Sequence, residues 1–335
     1  MAHRVLLSLV LAGIAAMTVP SAAMARNLVV GDGGPGCRDA RYATIQSAVD
    51  AARPGDDIPV CPGTYREAVS VRTDMLRIFS RVRHQAVVEL PASDDTRLTG
   101  IGLDARGVLV RGFTVTGVRP GSGCGLGEGT AISSGGGAAT IDYNRIVDLG
   151  CNSFERGVLY SDDATYPGLV SVAHNEISGF ERYGILAFGS PDTVHDNVIR
   201  GGRVGVQIRG GKGAIQANTI EDAGDCGICT YAFEASFDYR IAGNRLRRNG
   251  NGIHIAYVGS PAPPDAIGRF NAHIEANDVL DSVRDGITIE LSRGFVYRNA
   301  VRRSGRWDCL MQDGFAVWKD NIGATDSPSN LCRAP

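Results

Sequence analysis

Residues 183–202 read YGILAFGSPDTVHDNVIRGG, and the chain repeats that pattern. Gly184 opens a short apolar alternation through Ile185 and Ala187, and thirteen residues later an asparagine precedes an apolar pair, Asn197, Val198 and Ile199. The same interval links Gly205 to Asn218, Gly286 to Asn299, and Asp308 to Asn321, the last with aspartate in the glycine position. From each asparagine the next glycine follows after eight or nine residues, as in Asn175 to Gly184 and Asn244 to Gly252. The period is about 22 residues, a spacing that marks a solenoid.

Two strand-length alternations per period, without a helical signal, predict an all-β, single-stranded right-handed parallel β-helix. The position three before each asparagine is apolar throughout: Ile141, Val172, Val194, Ile215, Ile241, Ile274, Val296 and Trp318. Side chains alternate across a strand, so this column is predicted to point into one core, together with the position two after the asparagine (Ile146, Ile177, Ile199, Ile220). The asparagines Asn144, Asn175, Asn197, Asn218, Asn244, Asn277, Asn299 and Asn321 fall at the bend and are predicted to stack and bond neighbouring backbone, a structural role. Phe113 occupies the asparagine position of an early coil.

Arg4, the apolar run 5–17 and the small-x-small triplet Ala23-Met24-Ala25 predict a cleavable export signal over 1–25. That run is too short to span a bilayer, and no later one is longer. The rest, 26–335, reads as one domain: an N-terminal cap and first coil over 26–71, about ten coils in all reaching residue 321, and a tail over 322–335. A secreted or periplasmic monomer is expected. The formal net charge is −2, with no basic block, so nucleic acid is not an expected partner. The eight cysteines all follow the signal, an even number in an oxidising compartment.

In the cap, Ile45, Ala48, Val49 and Ala52 recur at helical spacing before Pro54-Gly55, so an amphipathic helix is predicted to cover the open end of the solenoid. Residues 58–61 read as a strand, 62–65 as a turn and 68–71 as another strand. A Cys37–Cys61 bond would pin this segment to the first coil, Cys124–Cys151 would join neighbouring turns, and Cys309–Cys332 would fasten the tail. If 227–231 is extended, Cys226 and Cys229 lie roughly 10 Å apart at Cα, beyond disulfide reach; separate pairing or a buried thiol is the expectation.

The stretch 44–71, TIQSAVDAARPGDDIPVCPGTYREAVSV, resembles the N-terminal segment of the pectin-lyase-like superfamily, and the repeats from about residue 108 resemble its parallel β-helix repeats. The resemblance implies the fold and a carbohydrate-related task. It carries over no catalytic residue: the epimerase string Tyr-Gly-Phe-Asp-Pro-His is nearest to 183–188 here, which lacks the aspartate and the histidine, and the methylesterase and polygalacturonase signatures have no match.

Within the glycine-led strands, positions two and four after the glycine face away from the core. Position four reads Phe188, Arg209, Tyr231, Ala256, Glu290, Gln312; position two reads Leu186, Gln207, Cys229, His254, Thr288, Leu310. Lengthened turns around 161–168, 232–238 and 259–270 follow the same strand and predict a wall beside this face, with Tyr166, Phe233, Phe237 and Tyr257 as sugar-stacking side chains. The expectation is a polysaccharide lyase or uronate epimerase: Arg209 with Gln207 neutralising a carboxylate, His254 or Tyr231 as base with the other as acid, Glu290 orienting His254, and Phe188, Tyr257 and Gln312 binding sugar. A non-catalytic glycan-binding or structural envelope protein is the alternative. No cofactor is indicated. Calcium would need an outward acidic cluster, and Asp162-Asp163, Asp222 and Asp225 read as turn caps. A rival face on the asparagine strand carries His195, Gln216, Arg240, His273, Glu275 and Tyr297, without the wall of loops. His84 and His174 read as turn or surface residues, and Trp318 as core.

Overall fold

Glycine recurs at the head of the coils from Gly157 to Gly286 because a larger residue there would strike the next coil. A Cβ on Gly184 would sit 2.6 Å from the carbonyl oxygen of Gly205, one on Gly205 2.7 Å from that of Gly227, and one on Gly252 2.4 Å from that of Gly286. The glycines stack backbone on backbone along the solenoid, and Asp308 closes the row: its carbonyl is what a Cβ on Gly286 would strike, and beyond it the chain gives way to the tail. The aspartate instead binds that tail and its own turn, accepting from Ala324 N at 2.7 Å and Ser304 N at 3.0 Å.

The computed structural model describes residues 24–334 except 35, 91–98, 118–128, 136, 148–153, 162–168, 233–236 and 258–269, and gives the backbone alone for 154–156, 159–161, 189–192, 231–232, 257 and 270. Residues 1–23 of the expected export signal and the expected Cys124–Cys151 pair lie outside the described residues.

Each coil contributes three parallel strands. The glycine-led strand runs, for example, through Cys226–Ala232 and Asn251–Tyr257; the asparagine-side strand follows it as Phe237–Ala242 and Phe270–Glu275; a short third strand follows the asparagine, as Arg245–Arg247 and Asp278–Leu280. In two coils the first two strands run together as Tyr183–His195 and Val204–Gln216. The third strands form a ten-stranded sheet of their own. Its first member, Gly63–Arg66, is where the sequence reading placed a turn; Tyr65 faces inward there and its hydroxyl donates to Cys61 O at 2.9 Å, which ties a glycine-opened strand to the coil start.

Register is unbroken along the asparagine-side strands: Ile141 pairs Val172, Val172 pairs Val194, Val194 pairs Ile215, and so on to Val296 and Trp318. All but Trp318 are buried, and Trp318 packs against the same core. The bend after this strand is built from a residue in the left-handed region followed by asparagine. Tyr143, His174, Asp196 and Ala217 hold φ of 53–55°, and the next residue's amide closes the turn. Asn175 Oδ1 accepts from Asn144 N at 2.9 Å and from its Nδ2 at 3.1 Å, while Asn175 Nδ2 donates to Ile141 O at 2.9 Å. The motif recurs to Asn321, so each buried amide is satisfied by the coil on either side. Phe113 heads the ladder, its N–H donating to Asn144 Oδ1 at 3.1 Å while the ring fills the core.

The helix Ile45–Ala51 buries Ile45, Ala48 and Val49 over the first coil, as the periodicity predicts, with Thr44 accepting from Ser47 N at its start. Glu67 accepts from Ile45 N and Gln46 N, satisfying two amides that a helix start leaves open. Gln46 also takes the place of a strand partner: its Oε1 accepts from Ser70 N at 2.7 Å and its Nε2 donates to Ser70 O at 3.2 Å, which blunts the edge strand Val69–Val71. Cys37–Cys61 and Cys309–Cys332 bridge the two ends, with Cα separations of 6.2 Å each.

Cys226 and Cys229 are joined to each other, with Cα atoms 5.9 Å apart, against the sequence expectation. The strand is not extended between them. It bends at Gly227, so the residue before each glycine and the one three further on come to the same outer side. The same bend sets Tyr183 beside Leu186, and these two with Val204, Cys226, Cys229 and the half-buried Phe188 make a small apolar cluster outside the solenoid core.

Candidate functional site

The outward rows of the glycine sheet are continuous. Leu186 pairs Gln207, Gln207 pairs Cys229, Cys229 pairs His254, His254 pairs Thr288 and Thr288 pairs Leu310. In the neighbouring row Tyr231 pairs Ala256, Ala256 pairs Glu290 and Glu290 pairs Gln312, and Arg209 directly follows Ile208, the partner of Thr230. Arg209, Tyr231, His254 and Glu290 therefore lie on one side of the molecule, on consecutive coils.

The first of these rows does not face water. Leu186, Gln207, Cys229, Thr288 and Leu310 are all buried. Gln207 was expected beside a substrate carboxylate; its amide instead donates to the carbonyls of Ile208 at 3.2 Å and Cys229 at 3.4 Å, beneath the surface. Alternation correctly gives the side of the sheet, but the apolar cluster around Tyr183 covers that side locally.

The second row is more open. The Arg209 guanidinium lies 5.1 Å from the Phe188 ring centroid and 6.0 Å from that of Tyr183, whose hydroxyl is 3.4 Å from Nη2. Aromatic faces thus hold the cation in place, and its Nε is buried without a hydrogen-bond partner. Two coils on, His254 Nε2 stands 3.2 Å from Glu290 Oε2. The imidazole is the deeper member, its side chain 17% exposed against 38% for Glu290, and its Nδ1 is buried. The carboxylate is therefore the more exposed member of the pair. Gln312 is exposed at the end of the row. Tyr231 and Tyr257 pair in register with Ala256 and Ala232, and their side chains are outside the description.

Of the aromatic residues expected in the loop wall, Phe237 is corrected: it opens an asparagine-side strand, is fully buried and packs 5.0 Å from Tyr239. Tyr166 and Phe233, most of the lengthened turns, and Asp162-Asp163 lie outside the described residues. Asp222 and Asp225 are turn residues paired with Arg248 at 2.7 Å and Arg203 at 2.7 Å, as expected of caps.

The rival face also assembles. Arg240 and Glu275 form an ion pair. The Tyr297 hydroxyl, then Arg240, draw the Glu275 carboxyl below its ordinary range against the opposing effect of burial. His273 stacks on the exposed Phe295 at 5.2 Å between centroids. Further toward the N-terminal end, the same face bears a cavity of about 310 Å³ lined by Arg77, Phe79, Arg83, Leu109, Arg111 and Tyr143. Sequence reading passed over this region because its members come from separate coils, and only the pairing of Arg77 with Leu109 and of Ile141 with Val110 brings them side by side. Among the described residues no helix is long and apolar enough to cross a membrane.

Three parallel strands per coil, an asparagine ladder and an inward aliphatic column define a parallel β-helix solenoid. The family model described as right-handed β-helix region matches residues 129–299, more than half of the sequence, and the chain belongs to that family. No curated protein sequence matches it. Among solved structures, the Dettilon tailspike protein aligns with a TM-score of 0.59 at 12% identity, over 85% of this chain and 59% of the tailspike chain. A GH136 lacto-N-biosidase from Eubacterium ramulus aligns with a TM-score of 0.60 at 12% identity, over 90% of this chain and 68% of that one. An alginate lyase from Paenibacillus sp. str. FPU-7 aligns with a TM-score of 0.55 at 16% identity, over 87% of this chain and 99% of that one. At such identities the likeness is one of fold.

Proposed function

We propose that the protein is an exported carbohydrate-active β-helix that binds an acidic polysaccharide along the outer face of the glycine sheet, and acts on it as a lyase or uronate epimerase. The observation that carries the reading is the contact of His254 with Glu290, the latter in the same outward row as Tyr231 and Arg209. The presence of an alginate lyase among the fold neighbours supports the substrate class, and the three described disulfides fit an oxidising compartment.

In this chemistry Glu290, oriented by a proton on His254 Nε2, removes the proton α to a uronate carboxylate. In a lyase the freed electron pair forms the ring double bond as the glycosidic C–O bond breaks, and an acid, assigned to Tyr231, protonates the leaving oxygen. In an epimerase no bond to oxygen breaks: the base keeps the proton it removed, and an acid on the opposite face of the ring delivers another to the same carbon. Arg209 stands three coil spacings from Glu290, about 14 Å at the backbone, so it binds the carboxylate of a sugar further along the chain rather than the one that reacts. That separation is also the observation that favours the second reading, a glycan-binding module without turnover.

The test is incubation of the mature protein with a panel of uronate polymers, following unsaturated-uronate absorbance for cleavage and proton NMR for epimerisation. Glu290→Gln is expected to abolish product while leaving binding intact, and Arg209→Ala to weaken binding about 10-fold or more. Saturable binding with no product in either channel establishes the second reading, and neither binding nor product overturns both.

A further inference from the structure

At the turns after the asparagine-side strands, three side chains converge that the proposed carbohydrate chemistry does not use. We propose that His174, His195 and Asp196 form a binding site for one divalent transition-metal ion of the zinc class.

The solenoid pitch makes the site. His174 and Asp196 occupy the same left-handed turn position in successive coils, with φ of 54° and 55°, so their side chains leave the turn side by side, one coil apart. His195 lies in the row Asp142, Ala173, His195, Gln216, immediately before Asp196. One ligand atom from each of His174, His195 and Asp196 lies within 4.8 Å of the other two. His195 Nδ1 is 2.8 Å from Asp196 Oδ2, and His174 Nε2 is 3.9 Å from the same oxygen. Tetrahedral bonds of about 2.0–2.2 Å place ligand atoms roughly 3.3–3.6 Å apart, so His195 Nδ1 and Asp196 Oδ2 open by about half an ångström and the widest pair closes by roughly 1.5 Å at most, which side chains 35–49% exposed can do.

Two features beyond the cluster indicate a prepared ligand set. Asp142 Oδ1 lies 2.9 Å from His174 Nδ1. A carboxylate on Nδ1 places the proton there and turns the Nε2 lone pair toward Asp196 and His195, the outer-shell arrangement that orients metal-binding histidines. Tyr143 stacks on the same imidazole at 4.4 Å and 3° between planes, which holds the ring against rotation. Asp142 is itself fixed by Arg111 at 3.4 Å. The cations Arg83 and Arg111 reach over Tyr143 from the preceding coils, and Arg111 is paired there with the Asp142 carboxylate. Two imidazoles and one carboxylate select zinc, cobalt or nickel over calcium, which takes oxygen ligands, and the partial exposure leaves a coordination position for water or an external ligand.

Untagged, metal-stripped full-length mature protein is titrated with Zn²⁺ by calorimetry and with Co²⁺ by visible absorption. The expected result is one equivalent bound, with affinity lowered at least 10-fold in His174→Ala, in His195→Ala and in Asp196→Asn. Asp142→Asn, a positioning change, is expected to lower it about 10-fold, and His273→Ala, on the same face but outside the cluster, to leave it unchanged. Thermal melting without metal checks that each variant is folded. No binding at millimolar Zn²⁺, binding that the ligand variants leave unaltered, or a preference for Ca²⁺ overturns the proposal. Because the readout is metal binding alone, it stands or falls separately from the polysaccharide reading.

Discussion

One asparagine illustrates how the coil closes. Asn218 Oδ1 accepts from the main-chain nitrogen and the side chain of Asn197 at 3.0 Å each, and its Nδ2 donates to Val194 O at 2.9 Å and Asn244 Oδ1 at 3.0 Å. Asn218→Ala strands buried donors and acceptors in two neighbouring coils. We expect a loss of about 2–4 kcal/mol, measured by urea unfolding. Gly205 makes the complementary case, in which the missing atom is what matters. An alanine methyl there would meet Ile220 Cγ2 at 2.4 Å and Gly227 O at 2.7 Å, and backbone cannot yield as a flexible side chain can, so Gly205→Ala is expected to cost about 1–3 kcal/mol in the same assay. The asparagine role was legible from spacing, since a residue repeated at one phase of a solenoid meets copies of itself; the spacing marked the glycine column too, but its steric reason came from the coil-to-coil approach. The left-handed turn position before each asparagine was not, because Tyr143, His174, Asp196 and Ala217 share no side-chain chemistry and only backbone geometry unites them.

At the scale of the element, strand alternation predicted the side of the sheet correctly and its exposure incorrectly. Gln207 points away from the core, as alternation requires, yet is buried, because the bend at each glycine gathers Tyr183, Leu186, Val204 and the Cys226–Cys229 pair over it. The same bend defeated the distance estimate for those two cysteines. It also separates the disulfides by what they contribute. Cys37–Cys61 closes a separation of 24 residues and Cys226–Cys229 one of 3, and loop-closure entropy grows with the span. We expect the Cys37→Ser/Cys61→Ser double variant to lose about 2–4 kcal/mol and Cys226→Ser/Cys229→Ser clearly less, read from paired denaturation curves.

Over the whole molecule, the N-terminal end is held by one buried carboxylate. Burial opposes ionisation of Asp56, yet bonds from the Arg26 guanidinium and from the backbone nitrogens of Arg53 and Arg26 carry its pKa down to about 2. A folded value below the unfolded one stabilises above the unfolded pKa, near 4, and that contribution is lost as pH falls toward 2. The melting temperature is therefore expected to drop over that interval, and Asp56→Asn to flatten the drop. Mass spectrometry of exported protein is expected to show Arg26 as the first residue, which would turn its nitrogen, 2.9 Å from Asp56 Oδ1, into an ammonium facing that carboxylate. Local pattern was enough for the solenoid, its period, its inward column and its asparagine ladder, because each recurs until it can be read, and for the cap, whose helical spacing lies within one short stretch. What meets across coils was set by the folded chain: Glu290 beside His254, Gln207 under an apolar cover, and His174 beside Asp196. The His254–Glu290 and His174–Asp196 contacts join residues 36 and 22 positions apart, and they depend on the bend angle and the pitch, quantities that no single repeat encodes.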